Sequence, residues 1–160
     1  MKRFPMYQIL INNLHIFTLW AVIVLGLSPV RLWGIPILSV IWAVGFIVMV
    51  GFVLKKHVCT TCVYYGEWCP YGWGKWAALL FPKNSGNEEL GFKLAFWFYI
   101  VFGTIVPLIL MILILLVRPT AKEGVYLAIF VILTAIGFPL RRWNCIKCER
   151  RETCPGSAVR

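Results

Sequence analysis

The chain has 160 residues, of which 61% are hydrophobic and only 14% charged, with a mean hydropathy of +0.82. A soluble domain would carry about a quarter charged residues, so the composition excludes an ordinary soluble enzyme and points to an integral membrane protein. The formal net charge is +10, and every acidic residue is glutamate. With no soluble module left to hold a polyanion, that charge reads as membrane-flanking lysine and arginine, and nucleic acid is not an expected partner.

Four uncharged runs follow one another, at residues 8–30, 32–54, 94–117 and 124–140. A bilayer core needs about 20 helical residues, and backbone polar groups in lipid must be satisfied within the segment. The runs lack the period-two alternation of a barrel strand. They predict transmembrane helices over 8–30, 35–54, 94–117 and 124–140. The first follows Lys2 and Arg3 but has no small-x-small cleavage site, so it reads as a retained helix. Its beginning is polar, with Gln8, Asn12, Asn13 and His15. Pro36 suits the first turn of the second helix.

Basic residues set the orientation. The N-terminus carries Lys2 and Arg3; the middle connection carries Lys55, Lys56, Lys75, Lys83 and Lys93; the tail carries Arg141, Arg142, Lys147, Arg150, Arg151 and Arg160. The two other connections hold only Arg31, Arg118 and Lys122. The positive-inside rule then puts both termini and the middle connection in the cytoplasm. The predicted fold is an all-α membrane protein, one integral domain over residues 1–160 in the plasma (inner) membrane. Its four helices form two antiparallel hairpins, each followed by a cytoplasmic three-cysteine block.

Those blocks, residues 57–72 and 143–156, hold all six cysteines. Cys59, Cys62 and Cys69-Pro70 read C-x2-C-x6-C-P; Cys145, Cys148 and Cys154-Pro155 read C-x2-C-x5-C-P. A single C-x2-C pair is a weak signal, but two with a trailing Cys-Pro are a strong one. In a reducing compartment such spacing favours metal or redox chemistry over structural disulfides. Two pairs supply the four thiolates that suit zinc or an iron–sulfur cluster, and all six could serve a two-metal cluster. The half-spacing resembles the fungal binuclear zinc module, C-x2-C-x6-C repeated. Nearby cations favour thiolates, although the lysines and arginines here equally serve as membrane anchors.

Between the blocks, Trp73 to Phe81 reads as a short helix lying in the membrane interface. Residues 82–86 read as a turn, and Ser85 with Glu88 has the spacing of a capping box. His57, two residues before Cys59, is a further candidate ligand beside its plainer role as an interfacial histidine. His15 is a candidate for haem b, which a chain with two histidines disfavours. Asn12, Asn13 and His15 could alternatively hold a quinone head group or hydrogen-bond another helix.

The segment around Cys69, with Pro70, Tyr71 and Gly72, resembles the Cys-Pro-aromatic-Gly segment of polytopic membrane ferredoxin-like proteins of the nitrate- and nitrous-oxide-reductase accessory type. That resemblance covers about a dozen residues. It implies cytoplasmic cysteine-ligated iron–sulfur chemistry drawing electrons from the quinol pool. The family's short motif is C-x3-C-P, whereas the gaps here are six and five residues, and the family's ferredoxin domain has no counterpart.

No charged residue lies within the four runs, which argues against an ion pump. No phosphate loop, Ser-His-Asp set or paired carboxylates appear. The sequence therefore predicts a non-catalytic accessory or electron-transfer subunit of a membrane redox complex, with other membrane subunits, the bilayer and possible quinone as partners. Its iron–sulfur or zinc site would join the two blocks through Cys59, Cys62, Cys69, Cys145, Cys148 and Cys154. The alternatives are a membrane thiol–disulfide oxidoreductase using the C-x2-C pairs and a purely structural subunit.

Overall fold

The computed structural model describes residues 4–159. It is helical throughout; among the described residues the sole β pairing is a bridge between Leu32 and Ile35. Four helices are long and apolar enough to cross a membrane: α1, Met6–Gly26; α2, Ile37–Cys59; α4, Glu88–Val117; and α5, Ala121–Lys147. The chain thus has the make-up of a multi-pass membrane protein. A short helix, α3, spans Trp73–Leu80 between α2 and α4.

Local chemistry explains the ends. α1 stops at Gly26, because Pro29 disfavours helical backbone at Ser28. α2 runs five residues beyond the expected Leu54, through Lys55, Lys56 and His57 to Cys59. Lys55 is buried with its ammonium over the Trp73 and Trp76 rings, and Lys56 reaches outward, so neither breaks the helix. α4 begins at Glu88, and its cap is Asn87, whose Oδ1 accepts the Leu90 N–H at 3.0 Å. The Ser85 and Glu88 capping box therefore does not form. Thr120 caps α5 in the same manner, accepting the Glu123 N–H at 3.3 Å.

Two spans contain π-helical turns. In α4 they cover Phe98–Ile105, just before Pro107. Proline offers no N–H to the carbonyl four residues back, which favours a wider turn. In α2 they cover Met49–Val53 and Lys55–Cys59, so the wider turns run to the first cysteine.

α1 packs against α2 and α5, α4 packs against α5, and the end of α2 meets the start of α4. Aromatic rings fill the centre. Trp20 stacks on Phe98 at 5.2 Å, and Trp42 stacks on Phe102 at 4.5 Å. Such pairs contribute about 0.5–1.5 kcal/mol each beyond their buried area. Trp42 Nε1 also donates to the Phe102 carbonyl at 2.9 Å, within the π-helical stretch. A Cβ on Gly45 would lie 2.9 Å from the Phe102 ring, so glycine lets α2 approach this ring closely. Outward-facing Leu14, Leu116, Val117 and Phe138 are largely exposed, as lipid-facing residues would be.

Candidate functional site

The six cysteines gather at one end of the bundle, where α2 and α5 finish. Cys59 is the last residue of α2, and Cys145 lies in the final turn of α5. From there the two blocks fold alike. The Cys62 N–H donates to the Cys59 carbonyl at 3.4 Å, and the Cys148 N–H to the Cys145 carbonyl at 3.1 Å. The next turn repeats: the Tyr65 N–H donates to Cys62 O, and the Arg151 N–H to Cys148 O. After each Cys-Pro a third turn closes, from Gly72 N–H to Cys69 O and from Ser157 N–H to Cys154 O. The sulfur environments repeat as well. The backbone N–H of Tyr64 lies near the Cys62 thiol and that of Arg150 near the Cys148 thiol, each opposing the rise in that thiol's pKa. In both cases the donor lies two residues beyond the cysteine.

The first block reaches the second through two tyrosines. Tyr64 is 2% exposed, and its hydroxyl accepts the Glu149 N–H at 3.2 Å. The same hydroxyl lies beside the Cys148 thiol and opposes the rise in its pKa. Cys62, Cys69 and Cys148 pack against one small cluster formed by Phe4, Ile9 and Tyr64. Tyr71, one residue past Pro70, lies near the Asn144 side chain beside Cys145. Burial raises the Tyr71 phenol above its ordinary value, against the opposing pull of Arg141.

The start of α1 closes the arrangement. Gln8, Asn12 and Asn144 are buried. Gln8 Nε2 donates to Asn144 Oδ1 at 2.6 Å, and Asn144 Nδ2 donates to Asn12 Oδ1 at 2.8 Å. Asn12 Nδ2 reaches the Pro70 carbonyl at 3.0 Å, and Asn13 Nδ2 reaches the Tyr71 carbonyl at 2.9 Å. Sequence reading singled out Asn12 and Asn13 as polar residues in an apolar run. It left Gln8 and Asn144 without a role, because a bond across 136 residues has no local signature.

Burial pushes the Cys62 thiol up; the Tyr64 N–H and the Arg150 guanidinium pull it down, while Cys69 and Cys148 push it further up. Burial likewise raises Cys148, opposed by the Arg150 N–H, with Cys154 and Cys145 adding to the rise. Thiols of the two blocks therefore lie within electrostatic reach of one another. Arg150 is itself held by an ion pair with Glu88 at the start of α4. All six cysteines are free and half-buried. Among the described residues, no three His, Cys, Asp or Glu side chains converge closely enough to hold one metal ion.

The histidines stand apart from this arrangement. His57 Nδ1 accepts the Asn87 N–H at 3.1 Å, helping to seat α4. His15 Nε2 donates to the Leu133 carbonyl at 2.9 Å, tying α1 to α5. Each histidine thus has one ring nitrogen engaged in helix packing. Asn12 hydrogen-bonds another helix through Asn144, the second of the two roles expected for it. Comparison of the chain with protein-family models, with curated proteins and with solved structures finds no match.

Proposed function

We propose that the two cysteine blocks form one thiolate-ligated metal centre on the cytoplasmic face of the plasma membrane, and that the protein is an accessory electron-transfer subunit of a membrane redox complex. The observation that carries this reading is the position of Tyr64. It packs with Cys62 and Cys69 of its own block and Cys148 of the other, and its hydroxyl accepts the N–H of Glu149, the residue after Cys148. In this reading α1 with α2 and α4 with α5 are antiparallel hairpins. The lysines and arginines at the cysteine end face the cytoplasm.

The donor set fits a polynuclear centre better than a single zinc ion. Thiolates around one zinc, with Zn–S of about 2.3 Å, stand about 3.8 Å apart. Among the described residues no three candidate ligands converge on one ion, yet thiols from both blocks act on one another electrostatically. An iron–sulfur cluster spreads its thiolates more widely, and N–H donors to the sulfurs tune its potential. Cys59, Cys62, Cys69, Cys145, Cys148 and Cys154 are the residues that would hold it. When bound, the cluster supplies one-electron transfer. The chain's own part is to supply thiolates, hold the Tyr64 and Arg150 N–H groups near sulfur, and exclude water by burial.

A thiol–disulfide oxidoreductase needs an attacking cysteine with a depressed pKa. Burial moves Cys62 and Cys148 the other way, and a bound metal ion would have to offset the same shift to hold them as thiolates. Replacing Cys62 and Cys148 together by serine should release the metal while leaving a monodisperse helical protein. Full metal retention in that double variant would sink the shared centre.

A further inference from the structure

The Asn12 carboxamide touches both cysteine blocks directly. It is 1% exposed. Its Nδ2 lies 3.0 Å from the carbonyl of Pro70, the residue after Cys69. The same nitrogen lies 3.1 Å from Asn144 Oδ1, on the residue before Cys145. Asn144 returns the bond, donating its Nδ2 to Asn12 Oδ1 at 2.8 Å. A third contact at 2.8 Å runs to the Gln8 carbonyl one turn back in α1, so the amide is fixed to its own helix as well. Asn13 makes an instructive contrast. It bonds the Ile9 and Tyr71 carbonyls and accepts from Trp73 Nε1, all in α1 or beside the first block.

We infer that Asn12 is a positioning residue that fixes the separation of Cys69 and Cys145, and with it the geometry of the centre. This rests on the shared-centre reading but makes its own geometric claim. A planar amide held at three points is a rigid spacer. Removing it takes a partner from the Pro70 carbonyl and from Asn144 Nδ2 in a buried place, where unpaired polar groups are costly. The blocks would then shift to re-pair those groups, and cysteine spacing would change with them. Asn13 lacks a contact to the second block, so its loss would leave that spacing intact.

The test uses the full chain in detergent, with Cys69 and Cys145 kept and the other four cysteines changed to serine. A short bifunctional methanethiosulfonate is added, and intact mass reports the fraction of chains bridged internally. The expected result is a fall in bridging rate of about ten-fold for Asn12→Leu, as small misplacements of reacting groups give, with Asn13→Leu unchanged. Asn144→Leu should match Asn12→Leu, and the double variant should be no worse than either single, because the two amides act as a unit. Where leucine is not tolerated, Asn12→Ser, too short to reach both neighbours, reads the same way. Bridging that is equal in the Asn12 and Asn13 variants overturns the proposal. Metal content of the all-cysteine chain is measured separately. Bridging that depends on Asn12 in a chain that binds no metal keeps the positioning role and removes the metal centre.

Discussion

The two cysteine blocks share a backbone but not an anchorage. Both make the same three turns, and both place an N–H two residues on near the second sulfur. The first block is held on every side. α3 follows it directly, Trp68 shields Lys75 at 4.8 Å, and Gly74 packs under the Tyr64 carbonyl. The second block trails from α5 with exposed residues at 151–153, and much of what holds it comes from outside: Tyr64, Asn12, and Glu88 through Arg150. The contrast teaches that cysteine spacing dictates local turns, whereas the meeting of the blocks depends on distant side chains. The first block acts as template, and the second is docked onto it.

The sharpest way to break the comparison is to remove a ligand from the docked side alone. Cys148→Ser should lower bound metal as far as Cys62→Ser does, by more than the roughly 10–100-fold expected for loss of a supporting residue. Metal analysis of the two variants side by side decides whether both blocks serve one centre.

Adding a methyl group to each side comes next. In Gly74→Ala the new Cβ would sit 2.0 Å from the Tyr64 carbonyl oxygen and 2.6 Å from that of Glu67. Backbone cannot move aside cheaply, so the loss should reach the upper end of the roughly 1–3 kcal/mol typical of overpacking. In Gly156→Ala, beside the second block, the nearest atom is the edge of the Phe92 ring at 3.0 Å. That side chain can rotate, and the loss should stay below about 1 kcal/mol. Thermal unfolding in detergent compares the two; equal losses would deny that the first block is the more tightly built.

The pH response follows from the raised thiols. Folded-state values of Cys62 and Cys148 lie above their unfolded ones, so the metal-free protein holds their stabilising contribution below the ordinary thiol pKa of about 8.5 and loses it as pH rises through the folded value. Metal binding requires thiolate and reverses the trend, tightening as pH rises. Unfolding midpoints between neutral and alkaline pH, with and without metal, should therefore diverge.

A small effect belongs to the tyrosine that joins the blocks. Tyr64→Phe removes the hydroxyl that accepts the Glu149 N–H beside Cys148, a loss of about 0.5–1.5 kcal/mol. Its signature should be faster alkylation of Cys148 with little change at Cys59.

Much of this was legible in the sequence. Uncharged runs located all four long helices, because lipid tolerates few charges. Their ends were less legible: α2 continues through Lys55 and Lys56, and α4 takes its cap from Asn87 in place of Ser85. The cysteine spacing announced a repeated unit, and the repeated turns agree with it. Asn12 was legible as a polar residue able to bond another helix, but its partner Asn144 and the part of Gln8 were not, since a bond across 136 residues has no local signature.

The central claim is tested most directly by measuring iron, zinc and acid-labile sulfide per chain in protein purified without oxygen, together with its visible absorption. Iron and sulfide bound in fixed proportion, with a broad thiolate-to-iron charge-transfer band lost in Cys148→Ser, is the predicted result. Colourless protein with a single zinc, or protein with no metal and a Cys59 to Cys62 disulfide, would contradict it.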